Sequence, residues 1–396
     1  MRKKTKILSF GHIPSWAGGR QENGLSNVIY NLARYMAEDD DVEVRMAATD
    51  VFTPHLQSGS LHIYGWTRNM LLRYAVRHPF FTIRIIFHLM RCRRRYASNV
   101  NVAGMLFKAV FLRKCITDFQ PDVVHLHAAH SIVYLPAIPR NIRIVMTHHG
   151  KVGGDVHIEG SDIYARIEKD CCQNKRLAMQ FFIASRLIDD FQKDYGKIKS
   201  RVRAILNAYD GERFFFIAPK KHEKLTLMTI AALNENKGQE RILQAMAQTG
   251  MECRYVCIGA DKEGLYRQLE TFAHEKGLDF LYAGTKKPVQ IREMLAEADF
   301  MIMPSSTEGF GLVYLEAMAC GVPVVLPRNL PIVSEPGIIL DGVNAVLLDD
   351  CSAESIAKFL RSANSSDFNR AGIAESVKQY SWKNISSQYI DSLRAL

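Results

Sequence analysis

Residues 307–321 read TEGFGLVYLEAMACG. Two carboxylates, Glu308 and Glu316, stand eight residues apart on either side of a Gly-Phe-Gly turn. Paired carboxylates can share a proton as an acid dyad, or act together on a glycosidic bond. Their spacing argues against both. On one continuous helix eight residues turn through ~800° and rise ~12 Å. That is too wide for a shared proton and wider than the ~5 Å of a retaining hydrolase pair. The two glycines place the helix start near Gly311, so Glu308 lies in the turn and Glu316 on the second helical turn. The amides of Gly309, Phe310 and Gly311 then point out of a helix N-terminus, which suits an anion. One long ligand would fit, with an anionic middle and a hydroxyl-bearing group at each end facing a carboxylate. A nucleotide sugar has that shape.

Three other groups could carry chemistry. AGGRQENG (17–24) follows a strand-like run and precedes a helical one, so Gly18 and Gly19 could bring backbone amides to an anion. It is neither GxGxxG nor a phosphate-binding P-loop, and a plain strand-to-helix turn accounts for it equally well. Lys237, in NENKGQE, could meet a phosphate as a point charge or be a solvated loop lysine. His125, His127, His130, His148 and His149 cluster at the ends of two strand-like runs. Hydrogen-bonded core histidines are the ordinary reading, and no HExxH spacing supports a metal. Of the two on one strand face, His127 is nearer the strand end and better placed to reach a cleft.

These residues need a frame. The chain has 396 residues, enough for two domains of roughly 150–200 residues each. Strand-like KILSF (6–10), VEVRMAA (42–48), PDVVHLHA (121–128) and RIVMTHHG (143–150) alternate with helical patterns. A second series follows in LTLMTIAAL (225–233), RYVCIGA (254–260), FLYAG (280–284), DFMIMPS (299–305) and GVPVVLP (321–327). Such alternation predicts α/β architecture, two doubly wound parallel sheets facing across a cleft. The candidate residues sit just after strands, where open α/β sheets bind ligands. The boundary is expected within 205–215. It divides a domain over 1–207 from one over 208–375, with an amphipathic helix over 376–396 packing back across the junction.

Charge is uneven. From Val51 to Thr117 there is no Asp or Glu, but eleven Lys and Arg, and the rest of the chain sums to −1 of the net +10. In FFTIRIIFHLMRCRRRY, Arg84, His88, Arg91 and Arg95 form one helical stripe among large apolar residues. A basic amphipathic surface over 68–95 facing an anionic membrane is the functional expectation. Core packing with solvated arginines is the alternative. No stacking motif or reader fold accompanies the charge, so nucleic acid is not expected. The eight cysteines form no CxxC pair and fit a reduced cytoplasm. MRKKTKILSFGHIP is too short in its apolar run for a signal peptide, and no apolar stretch is long enough to span a bilayer.

The stretch EGFGLVYLEAMACGVPVV closely resembles the signature of the EX7E retaining glycosyltransferases, family 4, of GT-B fold. Further likeness runs through the glycine loop at 18–19, PDVVHLHA, THHG, ILNAYDGERF, NENKGQERILQAM and SWKNISSQY, covering essentially the whole chain. By this resemblance the first domain binds an acceptor and the second a nucleotide sugar. Glu316 would accept from ribose hydroxyls and Glu308 would contact the donor sugar. Lys237 and the amides of Gly18 and Gly19 would hold the diphosphate, with Gly309, Phe310, Gly311 and Leu312 also on the donor. Thr285 and Lys286 would lie against the base. His127 would line the reaction centre, with Arg20, His149 and Asn207 in the cleft or on the acceptor.

The sequence departs from the family where a Gly-Arg pair usually precedes the lysine. Ala231 and Ala232 stand there, and Arg20 is the candidate replacement cation. Ala208 replaces the linker glycine. Ser334 and Glu335 stand in a segment that differs from the usual Gly-Gly-x-x-Glu. The resemblance implies a metal-independent, cofactor-free sugar transfer with retention, from a UDP- or GDP-sugar to a glycan or lipid-linked glycan. The expected setting is surface polysaccharide or lipopolysaccharide synthesis, in the cytoplasm at the inner face of the membrane. A non-catalytic GT-B-like subunit and a GT-B-type epimerase are the alternatives.

Overall fold

The computed structural model describes residues 4–21, 23–96, 101–154, 160–220 and 222–396. The basic start at 1–3 lies outside them. The chain divides into two compact units, Met1–Leu206 with Trp382–Leu396, and Asn207–Ser381.

The first unit runs β1 (Thr5–Gly11), α1 (Gly24–Met36), β2 (Val42–Ala48), β3 (His55–Ser58), β4 (Leu61–Tyr64), α2 (Arg68–Arg77), α3 (Pro79–Tyr96), α4 (Val102–Phe119), β5 (Val123–His127), β6 (Arg143–His148), α5 (Ser161–Cys172), β7 (Met179–Phe182), α6 (Ser185–Tyr195) and β8 (Arg201–Ala204). The sheet order is β3-β4-β2-β1-β5-β6-β7-β8. All pairs are parallel except β3–β4. The central strands are apolar on both faces: Ile7, Leu8, Val123, Val124, Ile144 and Met146 are fully buried. That is what helices on both sides of a parallel sheet require.

The second unit runs β9 (Leu225–Ile230), α7 (Gln239–Thr249), β10 (Cys253–Ile258), α8 (Tyr266–Glu275), β11 (Asp279–Gly284), α9 (Pro288–Leu295), β12 (Phe300–Ile302), α10 (Leu312–Ala319), β13 (Val324–Pro327), β14 (Ala345–Leu348), α11 (Ala353–Ser362) and α12 (Arg370–Ser376). Its sheet is wholly parallel, in the order β11-β10-β9-β12-β13-β14. Leu227, Leu243, Tyr255, Phe300 and Ile356 anchor its core.

In each sheet the strand order reverses beside the first strand, between β1 and β5 and between β9 and β12. Loops leaving the carboxyl ends of those strands diverge there and open a crevice for ligand. The loops in question carry Gly18, Gly19 and His127 in the first unit, and Lys237 and Glu308 in the second.

One expectation changes. The closing helix α13 spans Trp382–Arg394 rather than starting at 376. A 3-10 turn at Lys378–Tyr380 and an extended Ser381 (φ −77°, ψ 152°) precede it. Trp382, Tyr389 and Leu393 bury its apolar face in the first unit. The arginines of the α3 stripe stay exposed, but most of the stripe is also tied to the protein. Arg84 Nη2 donates to Pro136 O (3.0 Å), and His88 Nε2 lies 3.1 Å from Val133 O. Arg95 grips Asp170 with two bonds of 2.7 and 2.6 Å. Three of the four stripe residues therefore bind the protein. Beside these arginines α2 and α3 expose apolar side chains: Val76, Phe80 and Phe87 are 78%, 89% and 61% exposed, with Leu72, Ile83 and Met90 near them.

Candidate functional site

In the second unit, β9 delivers the chain through Ala231 and Ala232 to a 3-10 turn at Glu235–Lys237. Asn234 caps that turn, its side chain accepting from Lys237 N–H at 3.1 Å. Asn236 staples the turn to the loop after β12. Its Nδ2 donates to Thr307 O (3.0 Å), and its Oδ1 accepts from Thr307 N–H (2.9 Å) and lies 3.2 Å from Thr307 Oγ1. Arg241 adds a bond to Pro304 O at 2.8 Å. These bonds fix the register in which Lys237 Nζ meets Glu308 Oε1 as an ion pair. Ser305 Oγ also lies 3.4 Å from that oxygen. The two side chains are 20% and 13% exposed.

Gly311 (φ 82°) turns the chain into α10, and a Cβ there would lie 2.5 Å from the Tyr314 ring. The amides of Gly309, Phe310 and Gly311 have no acceptor among the described residues. They stand free at the N-terminus of α10, beside the ion pair. On the same helix the partly buried Glu316 carboxylate makes no side-chain hydrogen bond among the described residues. Burial first, then Asp210, pushes its pKa up to about 7, against the pull of Arg213. The charge that raises Glu316 is thus that of Asp210, itself paired with Arg213 at 3.0 Å, and not that of Glu308. Thr285 and Lys286 follow β11 at the sheet edge. Asn207 is buried at the first position of this unit. Ala231 N–H donates to Ile258 O (2.9 Å), and Ala232 O accepts from Gln239 (3.0 Å).

In the first unit, the loop after β1 is held by Asp50, whose carboxylate accepts from Ile13 N–H (3.1 Å) and Arg20 N–H (3.0 Å). The glycine amides expected to face a diphosphate are occupied. Gly18 N–H donates to Ser15 O (3.1 Å) and Gly19 N–H to Pro14 O (3.0 Å), because the loop closes as a 3-10 turn. Gly19 is needed for closeness: a Cβ would sit 2.1 Å from Ile13 O. The Arg20 guanidinium lies over the Phe52 ring, 4.3 Å from its centroid.

His127 ends β5 and is 3% exposed. Its Nε2 lies 3.2 Å from Ser9 Oγ, and its Nδ1 lies 3.2 Å from His149 Nε2. Burial, then His125 and His149, hold it well below the usual histidine range, so it is neutral. Ala128 follows at φ 62°, ψ 148°, a conformation L residues rarely adopt, with its N–H on Thr147 O. Ser131 Oγ donates to His127 O at 2.6 Å. His125 and His148 are core histidines, bonded to Thr147 Oγ1 and Gln180 Oε1 at 2.7 Å each. Glu168 pins the loop beyond His149 by accepting from Val152 and Gly153 N–H.

Among the described residues no three His, Cys, Asp or Glu side chains are grouped to hold a metal ion. None of their helices is long and apolar enough to cross a membrane. Asn236, Asp50 and Glu168 are site-shaping residues that spacing did not single out; for Asn236 the only signal was its place beside Lys237.

Comparison with known proteins matches both units. The family model Glycosyltransferase Family 4 covers residues 22–213, and Glycosyl transferases group 1 covers 210–380. A D-inositol 3-phosphate glycosyltransferase of Corynebacterium urealyticum is 28% identical over 234 residues, 53% of this chain and 54% of that protein. The chain thus spans about half the length of this curated relative. A GDP-mannose:cellobiosyl-diphosphopolyprenol alpha-mannosyltransferase of Xanthomonas oryzae is 25% identical, covering 68% of this chain and 73% of its own. The fold matches sucrose-phosphate synthase from Thermosynechococcus elongatus with a TM-score of 0.76 at 15% identity, over 98% of each chain.

Proposed function

Since the chain belongs to the family 4 glycosyltransferases of GT-B fold, we propose that it transfers a sugar, with retention, from a UDP- or GDP-sugar to a glycan or lipid-linked glycan of surface polysaccharide synthesis. The observation that carries this is the Lys237–Glu308 pair beside the three open amides of Gly309, Phe310 and Gly311, with the uncommitted Glu316 carboxylate on the same helix. A cation and unpaired amides suit the donor diphosphate, and Glu316 suits the ribose hydroxyls. Support for a lipid-linked acceptor comes from the Xanthomonas relative, named for a diphosphopolyprenol substrate.

In this reaction the bond between the anomeric carbon and the diphosphate oxygen breaks, leaving positive charge on carbon and negative charge on phosphate. The free amides offer preorganised donors to that negative charge, and Lys237, once released by Glu308, adds its cation to them. The acceptor oxygen attacks the same face, and its proton passes to the departing phosphate oxygen. In this reading no metal or cofactor takes part, and Glu308 exchanges its lysine partner for the donor sugar's hydroxyls.

The reaction runs at an anionic membrane surface. Support comes from the outward apolar row Leu72, Val76, Phe80, Ile83, Phe87 and Met90, bordered by exposed Arg73, Arg77, Arg91 and Arg94. Apolar side chains flanked by arginines suit the headgroup boundary of an anionic leaflet. Flotation with phosphatidylglycerol vesicles, but not with pure phosphatidylcholine, is expected, and Phe80→Glu with Phe87→Glu should abolish it.

The donor claim is tested by thermal shift with UDP-, GDP- and ADP-sugars, since a ligand of the folded state raises the melting point. No shift with any of them overturns it. Release of a free sugar epimer without acceptor would identify an epimerase instead.

A further inference from the structure

A small pocket in the first unit lies beside His127. It encloses ≈ 20 Å³, and its wall includes His12, Thr49, Lys108, His130 and Tyr134 but no carboxylate. That volume holds one water-sized group.

The polar groups on this wall have unused hydrogen-bonding capacity. Lys108, on α4, makes no hydrogen bond or ion pair with any described residue. The acid whose field reaches it is Asp50, and both Asp50 oxygens already accept backbone amides of the glycine loop. The Tyr134 hydroxyl, on a side chain 4% exposed, has no hydrogen-bond partner among the described residues. His12 uses Nδ1 on Thr49 Oγ1 (2.9 Å), which leaves Nε2 open. Burial holds Lys108 below its ordinary pKa, an effect the more distant Asp50 charge only partly offsets. A water could accept one of these bonds but brings no charge. An oxyanion supplies both charge and lone pairs, and charge-assisted bonds are the stronger kind.

We propose that this pocket receives one oxygen of a phosphate or carboxylate carried by the acceptor, and that Lys108 and Tyr134 select for that anion next to His127. Assigning the anion to the acceptor rests on the transferase reading. Binding of the anion itself needs no turnover, so the two can fail separately.

The test is a titration of the full chain with inorganic phosphate at constant ionic strength, read by imidazole NMR. His12 and His130 are assigned with His12→Gln and His130→Gln. Saturable shifts of both resonances are expected. Lys108→Met should weaken the apparent affinity by about tenfold or more, Tyr134→Phe by a few-fold, and Lys108→Arg should largely preserve it. Tighter binding of farnesyl phosphate than of glucose 1-phosphate assigns the anion to a lipid carrier, and the reverse to a sugar phosphate. Unmoved resonances in the wild type, or an equal response in Lys108→Met, overturn the proposal. Donor-induced thermal shift of Lys108→Met, run in parallel, shows that the variant is folded and reports separately on the donor site.

Discussion

Lys237 and Glu308 lie 71 residues apart in sequence and close as one ion pair at the switch point of the second sheet. Each comes from a loop leaving a neighbouring strand, β9 or β12. The pair stores in the ligand-free protein the two groups that the proposed reaction assigns to phosphate and sugar. Lys237→Ala should therefore lower kcat by about 10²–10³, the usual effect of removing one preorganised donor to a developing oxyanion. Glu308→Gln should also impair turnover while leaving nucleotide diphosphate binding largely intact. Steady-state transfer rates alongside binding of the free nucleotide diphosphate check both.

Asn236 acts through that pair without being part of it. Its three contacts with Thr307 hold the lysine turn against the glutamate loop. Asn236→Ala should cost about 1–2 kcal/mol of stability, since these bonds are exposed and each is worth little on its own. Its larger effect should be on geometry, with kcat down about tenfold and the melting transition still cooperative. Asn236→Asp keeps the acceptor for Thr307 N–H and should lose less.

Much of this arrangement was legible from the chain. Apolar runs bounded by turn residues located β1, β5, β9 and β12, and therefore the loops with His127, Lys237 and Glu308. The elements missed were those without such a signal. β8 reads RVRA, an edge strand whose side chains are mostly exposed, and β3 has only four residues with alternating exposure. Helical spacing grouped Arg84, His88 and Arg95 on one face of α3 but could not say what that face would bond. The carbonyls of Val133 and Pro136 and the carboxylate of Asp170 decide that, and they come from distant segments. Nothing in the residue type marks Ala128 for its positive φ. At 18–19 spacing shows where an amide is, not whether the loop has already used it.

Glycines in the loop after β1 differ sharply in what they tolerate. A Cβ at Gly19 meets the Ile13 carbonyl oxygen at 2.1 Å, a backbone atom that cannot swing away. At Gly24, on the first turn of α1, nothing lies within 4 Å. Gly19→Ala should destabilise by about 1–3 kcal/mol through overpacking, whereas Gly24→Ala should be neutral or slightly stabilising. Chemical denaturation of the two variants side by side separates a local clash from a general intolerance of the segment.

Glu316 gives the protein a pH dependence of definite sign. Its pKa stands at about 7 in the folded chain against 4.5 for an unperturbed glutamate, chiefly from burial and then from Asp210. The folded state therefore holds this proton more tightly than the unfolded state. Its contribution to stability is fully present below pH 4.5 and is lost as pH rises through 7. Donor binding runs the other way. A carboxylate that accepts two ribose hydroxyls must be ionised, so binding at pH 6 should release a proton and affinity should rise toward pH 8. Calorimetric titration of the donor nucleotide in two buffers of different ionisation enthalpy measures that release directly. Glu316→Gln should abolish both the released proton and the pH dependence of affinity. Equal proton release in wild type and Glu316→Gln would place the titrating group elsewhere and remove Glu316 from the ribose.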